Sequence, residues 1–101
     1  MNPTDRPTRL PPLNALRVFQ VVVRHRSFRA AADELLVTPQ AVSQQIKLLE
    51  DTLGLELFAR KGRAVEPNEQ AILLAHFVQA GFDEMAEGVR RVTKLGQRSR
   101  I

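Results

Sequence analysis

Residues 27–49 read SFRAAADELLVTPQAVSQQIKLL, and they contain two helical patterns separated by a very short joint. In the first pattern, apolar residues recur at helical spacing, which indicates one buried face. These residues are Phe28, Ala31, Ala32, Leu35 and Leu36. Ser27 precedes them as a suitable N-cap. In the second pattern, Thr38 is a suitable N-cap and Pro39 takes the first helical position, where its missing N–H costs nothing. The segment therefore predicts two helices joined by a tight turn.

The two faces of the second predicted helix differ in chemistry. Its buried stripe is predicted to be Val42, Ile46, Leu49 and Leu53. The opposite face is polar but nearly uncharged, and it consists of Pro39, Gln40, Ser43, Gln44 and Lys47. A helix-turn-helix needs this arrangement, because its recognition helix is held by an apolar back and presents donors and acceptors to base edges. Two amphipathic helices of an ordinary bundle would show the same apolar spacing, so the rest of the chain has to separate these alternatives.

Composition limits the class of protein. The 101 residues suffice for one domain with a modest core, and the net charge of +4 suits an anionic partner. The chain has no cysteine, which excludes disulfides, zinc–thiolate sites and thiol catalysis. Its N-terminus lacks the apolar core of a signal peptide, and its apolar runs are too short to span a bilayer. We expect a cytoplasmic protein without a membrane partner.

Residues 1–12 are rich in proline and predict a flexible leader, in which Arg6 and Arg9 could still touch phosphate. A first helix is predicted from the N-cap Asn14 to about His25, with apolar residues at helical spacing. Its three consecutive valines, residues 21–23, would also suit a strand. The upstream cap and the spacing favour a helix.

A short hairpin is predicted after Gly54, which fits the left-handed position at the end of the recognition helix. Residues 57–60 and 63–66 would form the strands, with a turn at Lys61–Gly62 and an end at Pro67. Three basic residues, Arg60, Lys61 and Arg63, surround the glycine of the turn. Three basic residues are also compatible with a turn that is simply exposed to solvent and contacts no DNA. The position of the hairpin directly after the recognition helix favours a DNA-contacting wing.

Asn68 is predicted to cap a last, long helix that runs to about Leu95, followed by a frayed tail at residues 96–101. Its apolar residues are spaced alternately by four and three, as in a heptad seam. They are Ala71, Ala75, Val78, Phe82, Met85, Val89 and Val92. A second apolar row comprises Leu73, Leu74, Phe77 and Ala80. We expect the second row to pack on the chain's own domain and the seam, from Val78 to Val92, to pack on a second copy.

Residues that could support catalysis are scattered. His25 and His76 lie on separate predicted helices, and the glycines form no phosphate-binding loop. No nucleophile, base and oxyanion donor come together in the sequence pattern. We expect a binding module without catalytic residues, metal or cofactor.

Five segments resemble the N-terminal DNA-binding region of LysR-type transcriptional regulators. They are LNALRVF (13–19), SFRAAA (27–32), LVTPQAVSQQI (36–46), LEDTLG (49–54) and LFAR (57–60). The opening LPPLN (10–14) is similar to the branch that contains the glycine-cleavage and β-lactamase activators. The resemblance implies a mainly α protein: a winged helix-turn-helix of three helices and a short β-hairpin at residues 13–67, followed by a linker helix at residues 68–95.

The resemblance also implies roles for individual residues. The base-facing residues would be Pro39, Gln40, Ser43, Gln44 and Lys47. Those near phosphate would be Ser27, Arg29 and Thr38, together with Arg60, Lys61 and Arg63 of the wing. Antiparallel pairing of two linker helices would produce a homodimer on a pseudo-palindromic double-stranded operator. Its interface would comprise Val78, Phe82, Met85, Val89 and Val92.

The chain departs from the family pattern in two places. It has PNEQA (67–71) where the family usually has Leu-Thr-x-Ala-Gly. The resemblance therefore does not predict the angle between the wing and the linker helix. The family also continues into an effector domain, so the chain would be either an excised fragment or a natural short form, and a small-molecule effector is expected only with such a domain. The alternative function is a dimeric protein-interaction module. Residues 39–47 carry no large apolar anchor on the polar face, which favours DNA.

Overall fold

Four helices and one two-stranded antiparallel hairpin make up residues 9–98, the part of the chain that the computed structural model describes. They are α1 (Leu13–His25), α2 (Phe28–Leu35), α3 (Pro39–Leu53), β1 (Phe58–Lys61), β2 (Ala64–Pro67) and α4 (Glu69–Arg98). This order is the predicted one. Residues 1–8 of the predicted leader and 99–101 of the predicted tail lie outside the described residues. None of the helices within residues 9–98 has the length and apolar character to cross a membrane.

The core lies where α1 meets the other three helices and the hairpin. Its largest fully buried side chains are Phe19, Val22, Val42, Leu49 and Leu57. The predicted burial of Leu36 was wrong, because this side chain is 90% exposed. Leu36 follows the last residue of α2 in the left-handed conformation, with φ of 58°. The chain turns toward α3 there, so the apolar spacing of α2 no longer sets the direction of the side chain.

The caps of α2 and α3 are the predicted ones. The hydroxyl of Ser27 accepts the Ala30 N–H at 3.1 Å, and the hydroxyl of Thr38 accepts the Ala41 N–H at 3.1 Å. The cap predicted for α1 was wrong, because that helix begins at Leu13 and Asn14 already lies in its first turn. Pro12 precedes the helix, and its carbonyl accepts the Leu16 N–H at 3.2 Å, closing the turn.

The hairpin pairs Arg60 with Val65 and Lys61 with Ala64, so its turn is Gly62–Arg63, one residue later than predicted. Gly62 has φ of 61°, as the first central residue of a type II′ turn requires. The hairpin packs on α1 through Phe58 and Phe19, whose ring centroids are 5.8 Å apart. Val65 N–H also donates to the Arg26 carbonyl at 3.1 Å, which ties β2 to the end of α1.

Asn68 caps α4 as predicted, with its Oδ1 accepting the Ala71 N–H at 2.9 Å. Its Nδ2 donates to the Glu56 carbonyl at 2.6 Å, so the same side chain joins α4 to the segment before the wing. The helix continues to Arg98, past the boundary predicted at residue 95. Gly96 does not end it, since one helical glycine costs only about 1 kcal/mol.

The face that α4 turns to its own domain differs from the predicted one. Ala71 is buried, and Leu74, Ala75 and Val78 pack against the core, which is an i, i+3, i+4, i+7 stripe. Leu73 and Phe77, which were predicted to pack there, are exposed. Val78 is half-buried against the core, and it also lines the apolar groove that contains Phe82 and Met85. The face differs from the predicted one because Asn68 and the hairpin set the rotation of the first turns of α4.

Candidate nucleic-acid interface

The polar face of α3 points away from the core, as predicted. Gln40, Gln44 and Lys47 are exposed, Ser43 is half-buried, and Pro39 is exposed at the start of the helix. Behind them, Val42, Ile46 and Leu49 are buried and hold the helix against α1 and α2. The Lys47 ammonium lies 3.6 Å from the Asp51 carboxylate, so the one cation of this face has an acidic neighbour. The face is left with amide and hydroxyl groups, which suit hydrogen bonds to uncharged partners.

A cleft of about 540 Å³ lies beside the start of α3, where α2 and the hairpin approach it. It is lined by Ser27, Phe28, Arg29, Pro39, Arg60, Gly62, Arg63, Ala64 and Val65. Five of the predicted DNA-binding residues, far apart in sequence, thus come together in one place. Three of them are arginines, and no carboxylate is among the lining residues. Converging guanidinium groups favour an anion with several oxygen acceptors, and phosphate is such a group.

The remaining predicted phosphate contacts lie around this cleft. Lys61 is exposed at the hairpin tip, and Thr38 is exposed immediately before Pro39. Both Ser27 and Thr38 use a hydroxyl oxygen to accept a backbone N–H as N-caps. Each hydroxyl retains its hydrogen, so a cap can also donate to a phosphate oxygen. Capping and phosphate contact are therefore compatible at both positions.

Arg60 makes a contact that the sequence analysis missed. Its guanidinium carbon lies 5.1 Å from the centroid of the Phe28 ring, a cation–π geometry. With the turn at Gly62–Arg63, Arg60 faces the buried Val65 across the hairpin. Directly opposed residues share a face, so Arg60 lies on the side turned to the domain. The later turn therefore separates Arg60 from the tip. Placing the turn at Gly62–Arg63 in the sequence analysis would have paired Arg60 with the apolar Val65, and this pairing is the signal that was missed.

Arg26 and Glu66 form a second missed connection, with a 3.3 Å ion pair between the end of α1 and β2. Arg26 adopts the left-handed conformation, with φ of 55°, and its carbonyl accepts from β2 as described above. Both strands of the hairpin are thus attached to the helical body. No local pattern indicates this pair, because the two residues are separated by 40 positions.

Glu34, in the last turn of α2, joins that helix to the end of α1. Its carboxylate accepts from Arg24 at 2.7 and 2.8 Å and lies 2.7 Å from His25 Nε2. The hydrogen bond from Arg24, followed by that from His25, lowers the pKa of Glu34 to about 2. The same pairing raises the pKa of Arg24. Residues 9–98 contain no group of histidine and carboxylate side chains able to hold a metal ion.

The C-terminal half of α4 presents an apolar surface. Met85, Val89 and Val92 are 46%, 65% and 70% exposed, and Phe82 is half-buried. Phe82 and Met85 line an apolar groove of about 400 Å³, whose other wall includes Leu10 of the segment before α1 and Leu13 at the start of α1. Val78 lines this groove as well, and the exposed Val89 and Val92 follow at helical spacing, so the five predicted interface residues lie along one side of α4.

The three-helix body, the hairpin and the arginine-lined cleft beside α3 define a winged helix-turn-helix protein. A family model described as "Bacterial regulatory helix-turn-helix protein, lysR family" matches residues 13–72. The chain belongs to this family of bacterial regulators, as its sequence motifs indicated.

Curated relatives agree with the family. The Glycine cleavage system transcriptional activator of Escherichia coli (strain K12) is 49% identical over 84 residues, covering 83% of this chain and 28% of that protein. The HTH-type transcriptional activator AmpR of Rhodobacter capsulatus is 47% identical over 90 residues, covering 89% and 30%. The chain thus spans less than a third of the length of these relatives. Both relatives are named as transcriptional activators.

Solved structures with the same fold include complexes with DNA. The BenM_DBD/catB site 1 DNA complex has a TM-score of 0.81 and 27% identity, covering 87% of this chain and 95% of that chain. Vibrio fischeri DarR in complex with DNA has a TM-score of 0.77 and 29% identity, covering 89% and 30%. The predicted mainly α, winged helix-turn-helix architecture is confirmed.

Proposed function

We propose that this chain is the DNA-binding part of a LysR-type transcription regulator and that it binds a specific double-stranded sequence as a homodimer. The observation that carries this proposal is the cleft in which Arg29, Arg60 and Arg63 converge beside the start of α3. A helix that presents amides outward, next to a cluster of cations, fits a major groove bordered by phosphates.

The residues divide into two groups by their chemistry. Gln40, Ser43 and Gln44, with Pro39 and Lys47 at the margins, would contact base edges, since glutamine can pair with adenine through two hydrogen bonds. The residues that would contact phosphate are Ser27, Arg29, Thr38, Lys61 and Arg63, with Arg60 on the inner side of the wing. Phosphate contacts would position α3 and contribute most of the affinity, while the base contacts would select the sequence.

The second copy would pack on the exposed apolar surface of α4, from Phe82 to Val92. Within residues 9–98 no other element covers Val89 and Val92, and a long helix with an apolar seam is stabilised mainly by packing. Two copies related by a two-fold axis would read a pseudo-palindromic operator. A protein that binds DNA in a bacterium would act in the cytoplasm. A small-molecule effector belongs to this proposal only through a further C-terminal domain.

Selection from a pool of duplexes with a randomised centre tests the proposal. After selection, fluorescence anisotropy should be measured at two salt concentrations on a selected duplex and on a scrambled one. We expect an inverted repeat, tighter binding of the selected duplex by at least about 10³-fold, and weaker binding of both at higher salt. Equal affinity for the two duplexes, or no binding at low salt, would contradict it.

A further inference from the structure

A second cleft, of about 250 Å³, lies between α3 and α1. It is lined by Asn14, Arg17, Val18, Leu35, Val37, Ala41, Val42, Gln44 and Gln45. Successive residues of an α-helix are rotated by about 100°. Ala41 and Gln45 therefore flank the outward face of α3 on one side, whereas Pro39 and Ser43 flank it on the other. The arginine-lined cleft beside the wing adjoins Pro39, so the two clefts lie on opposite flanks of the recognition face.

The polar side chains of this second cleft are free to bind a partner. Within residues 9–98, Arg17, Asn14 and Gln45 make no side-chain hydrogen bond or ion pair. Arg17 is exposed and is the one charged residue among those that line the cleft. The other arginines of α1 and its C-cap differ, since Arg24 is paired with Glu34 and Arg26 with Glu66. An unpaired guanidinium beside amide donors suits an oxyanion.

The dimensions of a DNA duplex indicate that the oxyanion is a backbone phosphate. The major groove is about 12 Å wide and an α-helix with its side chains about 10–12 Å across, so a seated helix has a phosphate backbone on each flank. Resting on the proposed DNA-binding function, we propose that Asn14, Arg17 and Gln45 form a second phosphate-binding site, for the backbone on the flank remote from the wing. Contacts on both flanks would fix the rotation and depth of α3 in the groove.

The test compares Arg17→Gln with Lys94→Gln, which removes the same charge from the far part of α4. The association constant of each should be measured against salt concentration on the same selected and scrambled duplexes. For Arg17→Gln we expect weaker binding of both duplexes and a slope of log K against log salt that is shallower by about 0.9, one phosphate contact. Lys94→Gln should keep the wild-type slope, and Arg17→Lys should recover it, since a lysine also neutralises phosphate.

Three results would overturn the inference. Arg17→Gln could keep the slope of Lys94→Gln while the wild type binds DNA normally, which would leave the proposed function intact. Arg17→Gln could weaken only the selected duplex, which would mark a base contact. If the wild type bound no duplex, the proposed function would fail together with this site. Thermal unfolding of Arg17→Gln, which replaces an exposed side chain, should match the wild type and exclude loss of fold.

Discussion

The guanidinium of Arg60 lies over the ring of Phe28, 5.1 Å from its centroid, and this contact joins the wing to the second helix. On the neighbouring strand, Val65 and Glu66 are attached to Arg26. The tip residues Lys61 and Arg63 are therefore carried by a hairpin with two anchors. We infer that Arg60 positions the wing in addition to lining the basic cleft.

The Arg60–Phe28 contact should be measurable as a coupling energy. In a double-mutant cycle of Arg60→Gln and Phe28→Leu, urea unfolding should give a coupling of about 0.5–1 kcal/mol, because the pair is partly exposed to solvent. The matched cycle of Lys61→Gln with Phe28→Leu should give none. A coupling for Arg60 that equals the Lys61 value would show that the ring does not hold the guanidinium.

The tip of the wing should contribute charge but little sequence information. Lys61→Ala and Arg63→Ala should each weaken binding to every duplex and flatten the salt dependence by about one unit of slope, since each removes one phosphate contact. Arg90→Ala, an arginine of α4 paired with Glu87, serves as the control and should keep the slope. An unchanged slope in both wing variants would mean that the tip does not touch DNA.

Gln44 should discriminate between sequences. Its side chain is exposed on the outward face of α3, where it can form two hydrogen bonds with an adenine. Gln44→Ala should cost about 1–3 kcal/mol on the selected duplex and much less on a scrambled one. Gln70→Ala, on the first turn of α4, should change neither. Equal losses of binding free energy on the two duplexes would mean that Gln44 positions the helix and does not select the sequence.

The dimer should depend on the exposed seam of α4. Val89 is 65% exposed, so Val89→Asp should leave the fold intact and yet bury an unpaired charge in the proposed interface. Sedimentation at micromolar concentration should show a dimer for the wild type and a monomer for this variant. Ala80→Asp lies nine residues earlier, about half a revolution around the helix, and should remain dimeric. A monomeric wild type would refute the interface.

Glu34 should make stability depend on pH in the acid range. Its pKa falls from the ordinary 4.5 to about 2, so the folded state favours the ionised carboxylate. The resulting stability is fully present above pH 4.5 and is lost as the pH falls through about 2. Chemical unfolding should therefore show wild type more stable than Glu34→Gln at pH 7, with the difference vanishing near pH 2. In an Arg24→Gln background, most of the difference should disappear. A difference independent of pH would contradict the pairing.

The helices, their order and the outward face of α3 could be predicted from sequence, because they depend on residues only a few positions apart. The caps at Ser27, Thr38 and Asn68 each bond a backbone N–H three residues away, so their residue type and position suffice. The family motifs likewise lie in short segments. Arg29, Arg60 and Arg63 lie far apart in the sequence, so no pattern of neighbouring residues predicts that they line one cleft. Only the family resemblance assigned all three to phosphate contact.

Three features required the folded chain. The hairpin register depends on where a glycine can take positive φ. A turn one residue later than predicted changed the partner of Arg60 from Arg63 to Val65, one pair away from the tip, where its guanidinium lies over Phe28. The conformation of Leu36 depends on how α2 must turn to reach α3. The rotation of α4, which half-buries Val78 and exposes Phe77, depends on its attachment through Asn68 to the segment before the hairpin. In each case the outcome is set by contacts between segments that are distant in the sequence, and no local pattern of residues reports such contacts.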